Sequence, residues 1–85
     1  MSKVVVYTKR FCGYCTAAKQ LLKKRKVDYE EIDLTGDEQG LSELVEKAEG
    51  RRTVPQIFID DKPIGGFTDL RELDQSGQLK DMLDS

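Results

Sequence analysis

The sequence predicts a small α/β domain in the element order βαβαββα, with four strands in one mixed sheet flanked by helices. The chain has 85 residues, which suits one domain spanning 1–85. Short apolar, β-branched segments alternate with segments of helical period in its first half. In its second half, segments 54–59 and 63–65 flank a short polar turn, which predicts an antiparallel hairpin.

The first half is predicted to form a βαβ unit. Segment 3–7 is apolar and β-branched, which is typical of a buried strand. Segment 16–24 carries apolar residues at helical spacing and ends in lysines, as helix ends often do. Segment 27–34 alternates between apolar and acidic residues, which indicates a second strand. A right-handed crossover then places the two strands parallel to each other.

Two further helices are predicted from cap signals. Thr35 and Glu38 have the spacing of a capping box, and Gly50 is placed to end the helix that follows them. Thr68 or Asp69 is predicted to cap the third helix, which segment 76–77 can interrupt before its last apolar residues.

Composition excludes several classes of function. The net charge of −2 gives no general attraction to nucleic acids or anionic membranes, and no apolar stretch is long enough to cross a bilayer. A strand begins almost at once after Met1, so no signal peptide is expected and the expected location is a reducing cytoplasm. The chain has no histidine and two cysteines, so we expect no metal site formed by this chain alone. A centre shared between two chains stays open.

The two cysteines, Cys12 and Cys15, lie three residues apart where the first strand gives way to the first helix. The start of a helix presents unpaired N–H groups and partial positive charge, which both favour a thiolate. The thiolate is the reactive form in thiol–disulfide exchange. This segment therefore predicts a redox-active pair, with a buried pair or half of a metal site as the alternatives.

Three motifs in this order resemble the glutaredoxin family. They are Lys9 with the segment 12–15, the segment 53–59, and the segment 65–70. The resemblance spans nearly the whole chain and implies a thioredoxin-like fold and the use of glutathione as co-substrate. It also implies a monomeric oxidoreductase that reduces glutathionyl mixed disulfides and protein disulfides.

The resemblance further implies which residues act. Cys12 matches the family's nucleophile and Cys15 its resolving thiol. Val54–Pro55 matches a cis-proline pair whose backbone binds the cysteinyl part of glutathione, and Asp69 matches the carboxylate that pairs with the γ-glutamyl ammonium. Lys9, assisted by Arg51 or Arg52, is a candidate for the glycyl carboxylate. The implied glutathione-binding residues are Lys9, Tyr14, Thr53, Val54, Pro55, Gly66, Thr68 and Asp69.

Gly13 departs from the proline that is common at this position in dithiol members of the family. Members with glycine or serine there sometimes bind a [2Fe–2S] cluster across a dimer. The alternative function is therefore a cluster carrier or sensor, in which Cys12 and glutathione would hold a shared [2Fe–2S] cluster. Cys15 favours the disulfide reductase, because members with a single active-site thiol replace it with serine.

Overall fold

A computed structural model describes residues 3–84, so Met1, Ser2 and Ser85 lie outside the described residues. The expectation that no signal peptide is present rests on Met1 and Ser2 and therefore also lies outside them. The elements are β1 (Val4–Thr8), α1 (Gly13–Lys24), β2 (Glu30–Asp33), α2 (Glu38–Lys47), β3 (Gln56–Ile59), β4 (Lys62–Gly65), α3 (Phe67–Ser76) and α4 (Gln78–Asp84). The predicted order βαβαββα is therefore extended by a separate fourth helix. The break falls at Gly77, whose left-handed backbone (φ 83°) caps α3 and whose N–H donates to the Asp74 carbonyl.

As predicted, the four strands form one mixed sheet, and their spatial order is β2-β1-β3-β4. Strand β1 is parallel to β2 and antiparallel to β3, and β3 pairs with β4 as an antiparallel hairpin. Asp60 and Asp61 form the hairpin turn, both with positive φ (51° and 67°), as a two-residue type I′ turn requires. The C-terminal ends of β1, β2 and β4 and the start of β3 consequently meet at one end of the sheet.

Each face of the sheet has its own apolar core, because alternate strand residues point to opposite faces. Val6 and Ile57 point to the face covered by α1 and α3, where they pack with Leu22 and Leu70. The opposite face carries the second core, which consists of Tyr7, Leu34, Leu44, Ala48 and Phe58. The α1 and α3 helices are thus fixed against the same face, with their N-termini close to the end of the sheet described above.

The predicted helix caps are wrong by a few residues. Asp37, not Thr35, caps α2, because its carboxylate accepts the Gly40 N–H at 2.9 Å. The Thr35 hydroxyl instead accepts the Arg10 N–H at 2.8 Å and holds the loop that follows β1. The α3 cap is Gly66 rather than Thr68 or Asp69, and the Asp69 carboxylate reaches back to accept the Gly66 N–H at 3.0 Å.

Two predicted strands are shorter than expected. The second begins at Glu30 rather than at 27, because Lys26 is left-handed (φ 59°) and the Val27 N–H still donates to the Leu22 carbonyl. The third begins at Gln56 rather than at 54, after a turn. Among the described residues, no helix has the length and apolar character needed to span a membrane.

Leu44→Ala is expected to lower the free energy of unfolding by about 3 kcal/mol, because Leu44 of α2 is fully buried in the second core and its loss leaves a cavity. Leu41→Ala, on the same helix but only partly buried, is the matched control and should cost about 1 kcal/mol. Urea denaturation followed by circular dichroism measures both. Equal losses in the two variants would contradict the packing described for α2.

Candidate active site

Cys12 is the N-cap residue of α1 and is partly exposed at the end of the sheet. Phe11 takes a left-handed conformation (φ 57°) and turns the chain from β1 into the helix. The Cys12 Sγ accepts the Cys15 N–H at 3.1 Å and lies 3.8 Å from the Val54 carbonyl oxygen, to which the thiol can donate. The backbone N–H and the positive end of the helix stabilise negative charge on this sulfur. Cys12 is therefore placed to act as a nucleophile.

Cys15 lies one turn further along α1 and is 2% exposed. Burial raises the pKa of the Cys15 thiol to about 12; its hydrogen bond with Cys12 adds to the rise, and the Lys9 backbone N–H partly opposes it. No disulfide joins the two sulfur atoms in this structure. At neutral pH the pair thus combines a partly exposed thiol with a buried, protonated one.

A groove of about 570 Å³ lies between the segment before β3 and the start of α3, and Val54, whose carbonyl oxygen is 3.8 Å from the Cys12 Sγ, lines it. Its lining contains seven of the eight residues predicted to bind glutathione: Tyr14, Thr53, Val54, Pro55, Gly66, Thr68 and Asp69. The Val54–Pro55 peptide bond in its wall is cis, as the resemblance implies. Lys9 does not line this groove; it lines a second cavity that it shares with Cys12 and Cys15.

One wall of the groove is aromatic. Tyr14, which is 68% exposed, stacks on Phe67 with ring centroids 6.1 Å apart and an interplanar angle of 28°. The Arg71 guanidinium lies 5.8 Å from the centroid of the Phe67 ring. This stack connects the start of α1 to the start of α3 and gives the groove an aromatic wall.

The opposite end of the groove carries an ion pair. The Asp69 Oδ2 that accepts the Gly66 N–H also pairs with the Arg51 Nη1 at 3.3 Å. Gly65, in a left-handed conformation (φ 117°), lets both groups lie close, since a side chain at Gly65 would run into the Asp69 carboxylate and the Arg51 guanidinium. The sequence associated Arg51 or Arg52 with Lys9, whereas the structure pairs Arg51 with Asp69.

Sequence reasoning missed the polar side chains that hydrogen-bond to the segments carrying the site residues. Gln56 is 2% exposed, and its Nε2 donates to the Thr53 carbonyl oxygen at 2.9 Å, which holds the turn that bears Val54. Glu31 accepts from the Thr8 hydroxyl at 2.8 Å and from the Lys19 ammonium at 3.0 Å. The available signal was a carboxylate at position 31, on the face of β2 opposite to Ile32, where Lys19 of α1 reaches it.

Comparison with known proteins identifies the family. A family model described as Glutaredoxin matches residues 4–64. The chain belongs to the glutaredoxin family. A glutaredoxin from Pseudomonas aeruginosa is 45% identical over 83 residues, and the match covers 98% of each chain.

Solved structures of the family support the same conclusion. A dithiolic glutaredoxin from Trypanosoma brucei brucei superposes with a TM-score of 0.86 at 38% identity, covering 96% of this chain and 87% of that one. A buckwheat glutaredoxin–glutathione complex superposes with a TM-score of 0.85 at 34% identity, covering 98% of this chain and 77% of that one. The fold is thioredoxin-like, and the family's activity is thiol–disulfide oxidoreduction. Cys12 and Cys15 lie near each other, consistent with a Cys-X-X-Cys motif.

Brief treatment of the reduced protein with excess iodoacetamide at neutral pH should add one carbamidomethyl group, at Cys12. Cys15 should react only after unfolding in urea, because its thiol is buried and its raised pKa, about 12, keeps it protonated. Intact mass spectrometry and peptide mapping measure the number and position of the adducts. Two adducts formed at equal rates in the folded protein would contradict the environments described for the two thiols.

Proposed function

We propose that this glutaredoxin-family chain reduces glutathionyl mixed disulfides and protein disulfides, with glutathione as its reductant. The observation that carries the proposal is the position of the Cys12 sulfur, which lies 3.8 Å from the carbonyl oxygen of Val54, a residue that lines the groove. A disulfide sulfur of a ligand that lies along Val54 can therefore come within reach of the partly exposed Cys12 sulfur. The buckwheat relative named above, solved as a complex with glutathione, supports the same choice of ligand.

In the first reaction, Cys12 acts alone. Its thiolate attacks the glutathione sulfur of a glutathionylated protein, so that a Cys12–glutathione disulfide forms and the protein leaves as a thiolate. A second glutathione thiolate then attacks the glutathione sulfur on Cys12. This step releases oxidised glutathione and restores the Cys12 thiolate, and electrons and atoms balance over the two exchanges.

In the second reaction, both cysteines take part. Cys12 attacks a protein disulfide and forms a mixed disulfide with the protein. Cys15 then attacks Cys12, forms the Cys12–Cys15 disulfide and releases the reduced protein. Two glutathione molecules return the pair to its dithiol form. The hydrogen bond from the Cys15 N–H to the Cys12 sulfur, at 3.1 Å, shows how close the two residues lie.

The groove supplies groups that match the parts of glutathione. The Val54 backbone faces Cys12 and can pair with the cysteinyl N–H and C=O of an extended ligand. The Asp69 carboxylate can take the γ-glutamyl ammonium. The first N–H groups of α3, including those of Thr68 and Asp69, have no partner within their helix and can hold the γ-glutamyl carboxylate. Tyr14 and Thr53 border the space between these two ends.

Lys9 enters the proposal from outside the groove. It lines the second cavity, which includes Cys12, so its ammonium can approach a ligand bound at Cys12 from the side away from Asp69. We propose that it pairs with the glycyl carboxylate. Arg51, which is already paired with Asp69, belongs with the γ-glutamyl end.

Cys12→Ser should abolish deglutathionylation, because no other partly exposed thiol lies beside the groove. Cys15→Ser should retain most of it, because the resolving thiol takes no part in the first reaction. A glutathione-coupled assay with a glutathionylated peptide measures both, and reduction of a protein disulfide serves as the contrasting reaction that Cys15→Ser should lose. Equal loss of deglutathionylation in the two variants would contradict the roles assigned here.

Asp69→Asn should raise the KM for a glutathionylated peptide about tenfold and change kcat little, because it removes the charge that pairs with the γ-glutamyl ammonium. Glu72→Gln, an exposed change on the same helix, is the matched control and should behave as wild type. Thermal unfolding of both variants reports any effect on the α3 cap. An unchanged KM in Asp69→Asn would remove the γ-glutamyl end of the proposal.

The [2Fe–2S] alternative stays a prediction. Among residues 3–84, no group of three or more histidine, cysteine or acidic side chains could hold a metal ion. Cys12 is the more accessible of the two thiols. A cluster bound through Cys12 would therefore need further ligands from a second chain and from glutathione. An ideal Cβ at Gly13 would meet nothing within 4 Å, so packing does not require the glycine that prompted this alternative. The monomeric state and the cytoplasmic location likewise stay predictions.

A further inference from the structure

The dithiol reaction requires Cys15 to develop negative charge, which burial of its thiol opposes. Cys15 must become a nucleophile toward Cys12, yet its side chain is buried. During that step Cys12 is itself bound in a mixed disulfide and cannot carry the negative charge. The charge that develops on the Cys15 sulfur must therefore be stabilised by groups other than Cys12.

The second cavity, of about 420 Å³, supplies such groups. It is lined by both cysteines and by Thr8, Lys19 and Glu31. Lys19 lies four residues after Cys15 and hence on the same face of α1. Side chains of a helix lean toward its N-terminus, which directs a side chain at position 19 toward the turn that holds Cys15, and both residues line this cavity.

Lys19 is held in this position by a chain of two hydrogen bonds. Its Nζ is 3.0 Å from the Glu31 Oε2, and that oxygen also accepts the Thr8 hydroxyl at 2.8 Å. Thr8 is 2% exposed and belongs to β1, so the chain ends in the core of the sheet. This tether restricts a long side chain that would otherwise sample many rotamers.

The Lys19–Glu31 pair provides fixed charge rather than a proton relay. The hydrogen bond with Glu31 raises the pKa of Lys19, and the hydrogen bonds from Lys19 and then Thr8 lower the pKa of Glu31. Both groups therefore stay charged throughout the neutral range. The charged or titratable groups that line the cavity with Cys15 are Cys12, Lys9, Arg10, Lys19, Glu31 and Asp33.

We propose that Lys19 is a positioning residue for the resolving step, in which its tethered ammonium stabilises the negative charge that forms on Cys15 as it attacks Cys12. In that step the Cys15–Cys12 sulfur bond forms and the bond from Cys12 to the partner's sulfur breaks. The partner leaves as a thiolate and the Cys15 proton passes to solvent, so charge and electrons balance. This inference rests on the proposed dithiol reaction and adds a residue to it.

A stopped-flow experiment with a dithiobis(nitrobenzoate) reagent separates the two thiols. Cys12 attacks the reagent and releases one thionitrobenzoate, and Cys15 then displaces the second from Cys12, so absorbance rises in two phases. In Lys19→Met the ratio of the second rate constant to the first should fall about tenfold, the change expected for loss of one nearby charge. Lys19→Arg keeps the charge and should restore the ratio to within about twofold of wild type.

Lys23→Met removes an exposed lysine one turn further along α1 and is the matched control, with an expected ratio equal to wild type. An unchanged ratio in Lys19→Met would overturn the inference. Equal slowing of both phases in that variant would also overturn it, because a general structural defect slows both phases alike. Failure of Lys19→Arg to restore the ratio would also overturn it, since charge would not then be the cause. Cys15→Ser should lack the second phase; a second phase in that variant would contradict the dithiol reaction itself, independently of Lys19.

Discussion

The antiparallel pairing of β1 with β3 is the constraint on which the site depends. Its register places Tyr7 opposite Gln56, so the loop that leaves β1 toward Cys12 lies against the turn that enters β3. The Cys12 sulfur meets the Val54 carbonyl as a consequence of this register. A slip of one residue would exchange the two faces of β1 and bury neither core correctly. The apolar alternation that builds the cores therefore also fixes the geometry of the site.

The hairpin extends this constraint to the far end of the groove. Because Ile57 pairs with Gly65, the end of β4 lies beside the start of β3, and α3 must begin next to Pro55. An ideal Cβ on Gly66 would lie 3.5 Å from the Pro55 carbonyl oxygen, which shows how closely the two segments approach. Three stretches that are distant in sequence thus form one groove through strand pairing alone.

Periodicity in the sequence was sufficient to predict the order of the four strands and the first three helices, because alternation and helical spacing follow directly from burial. It was insufficient for the helix caps, since Thr35, Asp37 and Gly66 all have acceptable cap chemistry or neighbours, and only the tertiary path decides which is used.

The hydrogen bond between Lys19 and Glu31 could not be predicted from the sequence for a related reason. Lys19 and Glu31 are twelve residues apart on different elements, and their contact exists only once α1 packs over β2. Arg51, in a loop without periodicity, carried no signal for its pairing with Asp69.

The two bonds made by Asp69 have unequal consequences for a ligand. The Gly66 N–H that it accepts is a backbone group of the α3 cap, so this bond fixes the orientation of the carboxylate before anything binds. The pair with Arg51 joins two side chains that are about half exposed, 54% and 44%, and exposed pairs of this kind contribute about 0–1 kcal/mol. A ligand ammonium can therefore replace Arg51 at little cost while the carboxylate keeps its orientation. Arg51, once displaced, remains a cation at the end of the groove where the proposed γ-glutamyl carboxylate would lie, so the charge balance of the groove is preserved when it is filled.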